Sequence, residues 1–220
     1  MTPRLLDLFC GAGGAAKGYQ RAGFYVVGVD IKPQPHYCGD EFYQADALTY
    51  PLEGFDAYHA SPPCQGYAVT RSIPNRDFTA YPLLIEQVRA RLTATGKPYS
   101  IENVPTAPLL NPIVLCGSMF GLRTRRHRAF ECNPPVYFTP FTCNHSGRVK
   151  KPGNGKSLNI YVKDTDSGNV TVAGHLFSLR AGSRALGIDW MNRDELAEAI
   201  PPAYTEFIGK YLIQTLNGES

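Results

Sequence analysis

No stretch of this 220-residue chain approaches the ~18 consecutive apolar residues that a membrane span requires, so no transmembrane helix is expected. A secretory signal is also lacking. The opening Met1-Thr2-Pro3-Arg4-Leu5-Leu6-Asp7 puts an acid where the apolar centre of a signal peptide would lie, which predicts a cytoplasmic protein with no membrane partner. Cysteine is scarce: the six residues at 10, 38, 64, 116, 132 and 143 are too few to build a disulfide fold of this length. They read as reduced thiols, which leaves one free to do chemistry. Paired CxxC spacing is absent too. Cys132, Cys143 and His145 run as C-x10-C-x-H, without the close pair that marks common zinc sites, so no metal is expected. There is no internal repeat and no low-complexity tract.

What remains is the composition of an ordinary globular protein, 43% hydrophobic and 19% charged, which argues against disorder. The length fits one domain with a small appendage. Net charge is only +3, yet it is unevenly spread. Between residues 123 and 156 lie Arg123, Arg125, Arg126, Arg128, Arg148, Lys150, Lys151 and Lys156 against the single acid Glu131. Such a basic stretch on a near-neutral body is the footprint of polyanion binding. Charge alone is equally compatible with a solvated basic loop.

The first half of the chain alternates between strand and helix patterns. Arg4 to Phe9 reads as a buried strand, followed by the turn Cys10-Gly11-Ala12-Gly13-Gly14. Ala15 to Ala22 suits a helix closed by Gly23, and Tyr25 to Asp30 is a second strand ending on an acid. Glu41 to Ala45 and Phe55 to Ala60 are shorter strand candidates. Leu84, Ile85, Val88 and Leu92 share one face of a helix ended by Gly96, before a strand from Tyr99 to Val104. The alternation predicts an α/β fold with a doubly wound, mostly parallel sheet that binds ligands at the carboxyl ends of its strands. Beyond Arg128 the pattern changes, and residues 133–157 read as loop. Leu158 to Val162 and Asn169 to Ala173 suggest a hairpin around Asp166-Ser167-Gly168. A helix from Asn192 or Arg193 to Ile200 follows, and a last one, Tyr204 to Leu216, carries an apolar face that should pack on the main core.

Several residues on the expected ligand edge carry chemistry. The glycine turn would let backbone amides approach a ligand, Asp30 sits where an acid holds ribose hydroxyls, and Asp46 could accept from an adenine amino group. In Ser61-Pro62-Pro63-Cys64-Gln65-Gly66 the prolines stiffen a loop that exposes Cys64, which reads as a nucleophile. A cysteine attacks as the thiolate, so nearby positive charge should lower its pKa. Glu102 ends the strand at Glu102-Asn103-Val104, toward the same edge, where a shielded carboxyl can hold a proton near neutral pH. Arg126-His127-Arg128 is expected to put both arginines on one strand face, suited to a phosphate or a base carbonyl.

Asp7-Leu8-Phe9-Cys10-Gly11-Ala12-Gly13-Gly14, Pro62-Pro63-Cys64-Gln65, Glu102-Asn103-Val104 and Arg126-His127-Arg128 occur in an order that resembles the DNA (cytosine-5) methyltransferases. The likeness covers Arg4 to about Glu131, and its compactness is like that of phage-type or orphan members. It implies a Rossmann-like methyltransferase sheet and S-adenosyl-L-methionine as cofactor. Phe9, Gly11, Ala12, Gly13, Gly14, Asp30, Ile31, Asp46, Ala47 and Pro63 would then line the cofactor pocket. Cys64 would be the nucleophile, Glu102 the group that protonates N3 of cytosine, and Arg126 and Arg128 anchors near O2. The partner implied is double-stranded DNA, methylated by a monomer on a flipped-out base. The tRNA-methylating branch shares these motifs, so RNA stays open as substrate, and a non-catalytic DNA-binding relic is the rival of another class. The resemblance divides the chain into a catalytic domain (1–131), a reduced target-recognition insert (132–184) and C-terminal helices packed back on the catalytic domain (185–220). The small insert implies short or relaxed site recognition. Three features depart from the family: Thr124 stands where glutamine is usual, Asp30 replaces glutamate, and Ile200-Pro201-Pro202-Ala203-Tyr204 stands in for the usual closing segment.

Overall fold

A computed structural model of the chain describes residues 1–67, 81–137, 139, 142–145, 169–174 and 177–218. Five strands run parallel: β1 (Arg4–Leu8), β2 (Tyr25–Asp30), β3 (Glu41–Gln44), β4 (Ala57–Ala60) and β5 (Tyr99–Asn103). Two antiparallel strands complete the sheet, β6 (Ile113–Leu115) and β7 (Arg128–Asn133), in the order β3-β2-β1-β4-β5-β7-β6. The expected doubly wound, mostly parallel sheet is therefore present. All of β4 and β5 are buried, as strands covered on both faces must be.

The two-residue period of the strands divides their side chains between two cores. Leu5, Val26, Ala57 and Phe130 face α1 (Gly14–Ala22) and α5 (Pro202–Leu216). Leu6, Leu8, Val27, Val29, Tyr58 and Ile101 face α2 (Ile85–Ala94). A third cluster joins Val170, Val172 and Phe177 to α3 (Leu179–Leu186) and α4 (Arg193–Glu198), and reaches Ala12 in the glycine turn. The last helix thus returns to the main core as its apolar face predicts. Among the described residues, no helix is long and apolar enough to cross a membrane.

Several elements differ from the sequence reading. β6 is three residues long, too short to show a period, and α3 was not anticipated. In α3 the Ser178 side chain accepts from the Ala181 amide and Gly187 closes the helix in left-handed geometry; the helix straddles the expected boundary at 184/185. Asn169 to Ala173 makes only an isolated bridge rather than a strand, with the Val170 amide donating to Arg123 O. The partner strand proposed at 158–162 and its turn at 166–168 lie outside the described residues. Helix α4 begins on a capping box between Asn192 and Glu195, at the expected position.

Helices α1 and α5 touch at two glycines. A Cβ on Gly18 would lie 2.0 Å from Thr205 Oγ1 and 2.2 Å from Pro202 O, and one on Gly209 would lie 2.7 Å from Ala22 Cβ. The close approach lets the Thr205 hydroxyl donate to Ala15 O at 2.8 Å. Gly18→Ala must push the helices apart, an overpacking cost of about 1–3 kcal/mol or more, which urea unfolding will show as a lowered midpoint.

Candidate active site

The carboxyl ends of β1, β2, β4 and β5 bring the proposed site residues to one edge of the sheet. Past β1 the backbone turns through positive φ at Phe9 (60°), Gly11 (49°) and Gly13 (83°). Positive φ at a non-glycine such as Phe9 costs about 1–3 kcal/mol and is characteristic of sites where backbone shape matters. The turn is tied to β2 because Gly11 N–H donates to Asp30 Oδ2 at 3.0 Å, while Lys32 N–H takes Oδ1 at 2.9 Å. Both oxygens keep a further lone pair for a hydroxyl donor.

A Cβ built on Gly11 meets nothing within 4 Å among the described residues, so the turn is open to a ligand's approach at that point. Gly14 is different, since a Cβ there would lie 2.5 Å from Ile200 O. That contact puts the backbone of the Ile200–Tyr204 segment against the turn, where the usual closing segment was sought. Trp190 Nε1–H donates to Ala12 O at 2.9 Å and closes the same side. Ile31 is 66% exposed beside Asp30, an apolar surface suited to an adenine ring, and Ala47 is buried next to exposed Asp46. The Asp46 carboxylate already accepts from Leu48 N–H at 2.8 Å. Open backbone, a ribose-type acceptor and an exposed aliphatic face fit the adenosyl half of S-adenosylmethionine.

Cys64 stands half-buried on the loop after β4, beside half-buried Pro63. The loop is held from β5, where the fully buried Asn103 donates through Nδ2–H to Pro62 O at 2.9 Å. Its own Oδ1 accepts from Val104 N–H. Asn103 shows no chemical role in the sequence, whereas the structure makes it the residue that positions the cysteine loop.

Glu102, next to Asn103, is buried with Arg128 Nε 2.9 Å from its Oε1. Among the described residues that oxygen forms an ion contact but no aligned hydrogen bond, so it keeps capacity for a ligand. Burial raises the Glu102 pKa, against the lowering influence of Arg128, Arg126 and a hydrogen bond from Ser61. Ser61 also meets His59 Nε2 at 2.8 Å, and His59 Nδ1 meets Tyr19 Oη at 2.9 Å and Ser100 Oγ at 2.7 Å. Burial lowers the His59 pKa to about 3, so the imidazole is neutral. This buried chain supports the carboxyl from behind; polar residues on β4, β5 and α1 could have hinted at it only once their strand faces were known.

Two expectations need correction. Cys64 was expected to carry a lowered pKa. Arg128 and Arg126 do act in that direction, but burial outweighs them and Glu102 adds to the rise. Arg126 also lies ahead of β7 rather than on it, so it does not share a strand face with Arg128. Its Nη1 and Nη2 donate to Val172 O at 2.7 Å and Ala197 O at 2.8 Å, which ties the C-terminal return to this edge of the sheet. Among the described residues its buried Nε finds no hydrogen-bond partner. Burial, with Arg128 close by, lowers its pKa to about 9.

Of the trio considered for zinc, Cys132 turns into the core between the sheet and α5, while Cys143 and His145 come together elsewhere. The raised Cys64 pKa sets the direction of its reactivity. Alkylation of Cys64, followed peptide by peptide with mass spectrometry, should rise steadily from pH 7 past the ordinary thiol range, and Arg128→Met should move the rise to still higher pH.

No family model matches the chain. A search of curated proteins finds type II methyltransferase M1.HphI of Haemophilus parahaemolyticus, 31% identical over 124 residues. That match takes in 47% of this chain and 33% of the relative, so the chain spans about a third of the relative's length. Among solved structures, an Escherichia coli prophage-encoded protein described as a DNA modification methyltransferase superposes with TM-score 0.63 at 16% identity, covering 98% of this chain and 99% of that one. Dnmt2 methyltransferase of S. pombe gives 0.60 at 13% identity, and methyltransferase EhMeth of Entamoeba histolytica 0.58 at 13%, each over 98% of this chain and 99% of the other. The chain is thus similar in sequence to a methyltransferase over about half of its length, and it shares the Rossmann-like sheet of these solved methyltransferase structures.

Proposed function

We propose that the chain transfers a methyl group from S-adenosylmethionine to C5 of cytosine in DNA, through a covalent bond from Cys64 Sγ to C6 of a base flipped out of the helix. The observation that carries this reading is that Arg128 Nε lies 2.9 Å from Glu102 Oε1 while the adjacent Asn103 holds the Cys64 loop through Pro62 O, with Arg126 and Cys64 close enough to this pair for their charges to interact. They stand on the sheet edge that also holds the glycine turn. Phe9, Gly11 to Gly14, Asp30, Ile31, Asp46, Ala47 and Pro63 would hold the cofactor. When bound, it supplies the electrophilic methyl group that C5 takes up.

The chain's own residues supply the remaining chemistry. Cytosine C5 is a poor nucleophile while the ring is aromatic. Addition of the Cys64 thiolate to C6 breaks that aromaticity, and the charge is absorbed if N3 takes a proton. A carboxyl raised by burial is a suitable donor, and Glu102 is such a group. The cationic neighbours Arg128 and Arg126 reduce the cost of forming the thiolate. After C5 has gained its substituent, loss of the C5 proton to solvent expels the thiolate, and Glu102 recovers its proton from N3.

The target atoms are hidden in a stacked duplex, so the base must leave the stack at a cost of a few kcal/mol. The basic stretch from 123 to 156 can offset this through phosphate contacts. Because the recognition insert is small, the expected target is short or loosely defined. Bisulfite sequencing of DNA from expressing cells should show methylation at a site of very few bases.

DNA containing 5-fluorocytosine tests the mechanism, since its C5 has no proton to lose and the adduct is held. A denaturation-resistant complex is expected that requires S-adenosylmethionine and vanishes in Cys64→Ser. A cofactor-dependent adduct persisting in that variant would remove Cys64 from its role. Parallel trapping with 5-fluorocytosine-substituted tRNA distinguishes the substrates, and an adduct on tRNA alone would overturn the DNA reading.

A further inference from the structure

Four potential metal ligands outside the catalytic edge meet at one point. Cys116 follows β6, His127 precedes β7, and Cys143 and His145 lie in the loop after β7. Their ligand atoms all lie within 4.8 Å of one another. Cys143 Sγ is 2.8 Å from His145 Nε2 and 3.4 Å from His127 Nε2, while Cys116 Sγ is 3.5 Å from His145 Nε2. The two imidazole rings stand nearly perpendicular, with centroids 5.0 Å apart.

We infer that these four residues form a tetrahedral site for a zinc-class divalent cation. With zinc–sulfur bonds of about 2.3 Å and zinc–nitrogen bonds of about 2.0 Å, the sulfur–nitrogen edges of a tetrahedron come to about 3.5 Å. Two of the three sulfur–nitrogen distances given above match that edge; the third must open slightly as the cation enters. Two thiolates and two neutral imidazoles are a donor set suited to zinc, and four protein ligands leave no open position, as in structural rather than catalytic sites.

The surroundings supply the outer contacts that such sites need. The Ser118 hydroxyl lies 3.3 Å from Cys116 Sγ and 3.7 Å from Cys143 Sγ, placed to donate to a thiolate, while it accepts from Asn144 N–H at 3.1 Å. The His127 ring is hydrogen-bonded to the Arg125 backbone, and an Arg125 Nη2–H donates to the His145 carbonyl. Two ligands come from the sheet edge and two from the segment after β7, inside the basic stretch. The cation would therefore fasten that segment to the fold. It would also fix His127, which sits between the two arginines of the catalytic edge.

Elemental analysis of the protein purified without added chelator should find about one zinc per chain. Cobalt(II) added to metal-free protein should give the intense visible bands of tetrahedral sulfur–nitrogen coordination, with thiolate-to-metal charge transfer. Both signals should be lost in Cys143→Ser and in His145→Ala, whose exposed side chains can change without disturbing the core. Cys132→Ala should retain them, because that thiol packs in the sheet core instead. Chelation should lower the melting temperature of the parent chain and leave that of Cys143→Ser unmoved. Substoichiometric metal together with an octahedral cobalt spectrum would overturn the site, as would a Cys116–Cys143 disulfide in freshly purified protein. These readouts do not depend on methyl transfer, so the site and the proposed activity can fail separately.

Discussion

A carboxyl group withdrawn from water is sustained only if charge and hydrogen bonding around it are balanced. Glu102 is held in that balance. Burial pushes it toward the protonated form, while Arg128 at 2.9 Å and the Ser61 hydroxyl pull it back. Less positive charge would favour the protonated carboxyl, and more would favour the carboxylate. The remainder of the edge can be understood as what keeps Arg128, Ser61 and Cys64 at the right separation from this one group.

Strand β7 carries much of that task because its alternate residues serve both faces of the sheet. Its antiparallel register sets Glu102 against Phe130 and Ile101 against Glu131. Glu131 forms a second buried ion pair on the α2 side, where Arg89 donates through Nε and Nη2 at 2.7 Å to its two oxygens and Leu110 N–H adds a third bond. The bidentate geometry fixes β7 along its length, since a slip of one residue would reverse every side chain. Arg128, at the start of the same strand, then reaches Glu102 from a rigid support. The His59, Ser100 and Tyr19 chain supplies the corresponding rigidity from beneath Ser61.

The parts legible in the sequence were those whose signal is local. Apolar runs such as Leu5-Leu6 and Val26-Val27 announce buried parallel strands, and Gly23 and Gly96 mark helix ends with the positive φ they adopt. Helix α3 escaped notice because Gly182 lies in its interior and its buried face is built from small residues. That glycine is required by packing, as a Cβ there would lie 2.4 Å from the Phe177 ring. The Cys64 pKa was misjudged for a related reason, since adjacent arginines can be guessed from motifs whereas burial is a property of the assembled fold. The Cys116, His127, Cys143 and His145 cluster was half visible as a C-x-H pair. Its other two members come from distant segments that only the sheet edge brings together.

Arg126, His127 and Arg128 show how three successive residues can serve three separate tasks. Arg126 spends its terminal nitrogens on Val172 and Ala197, His127 turns to Cys143, and Arg128 turns to Glu102. The C-terminal return, the segment at Cys143 and strand β7 are thereby joined through one tripeptide, and none of the three contacts can shift far without displacing the others. Contacts that share a backbone in this way are not additive, since loosening one changes the geometry on which its neighbours depend. The arginine pair is thus as much a mechanical junction as an electrostatic one. A base entering beside Cys64 would meet an edge already fixed by the segments that surround it, so less ordering has to be done at the moment of binding.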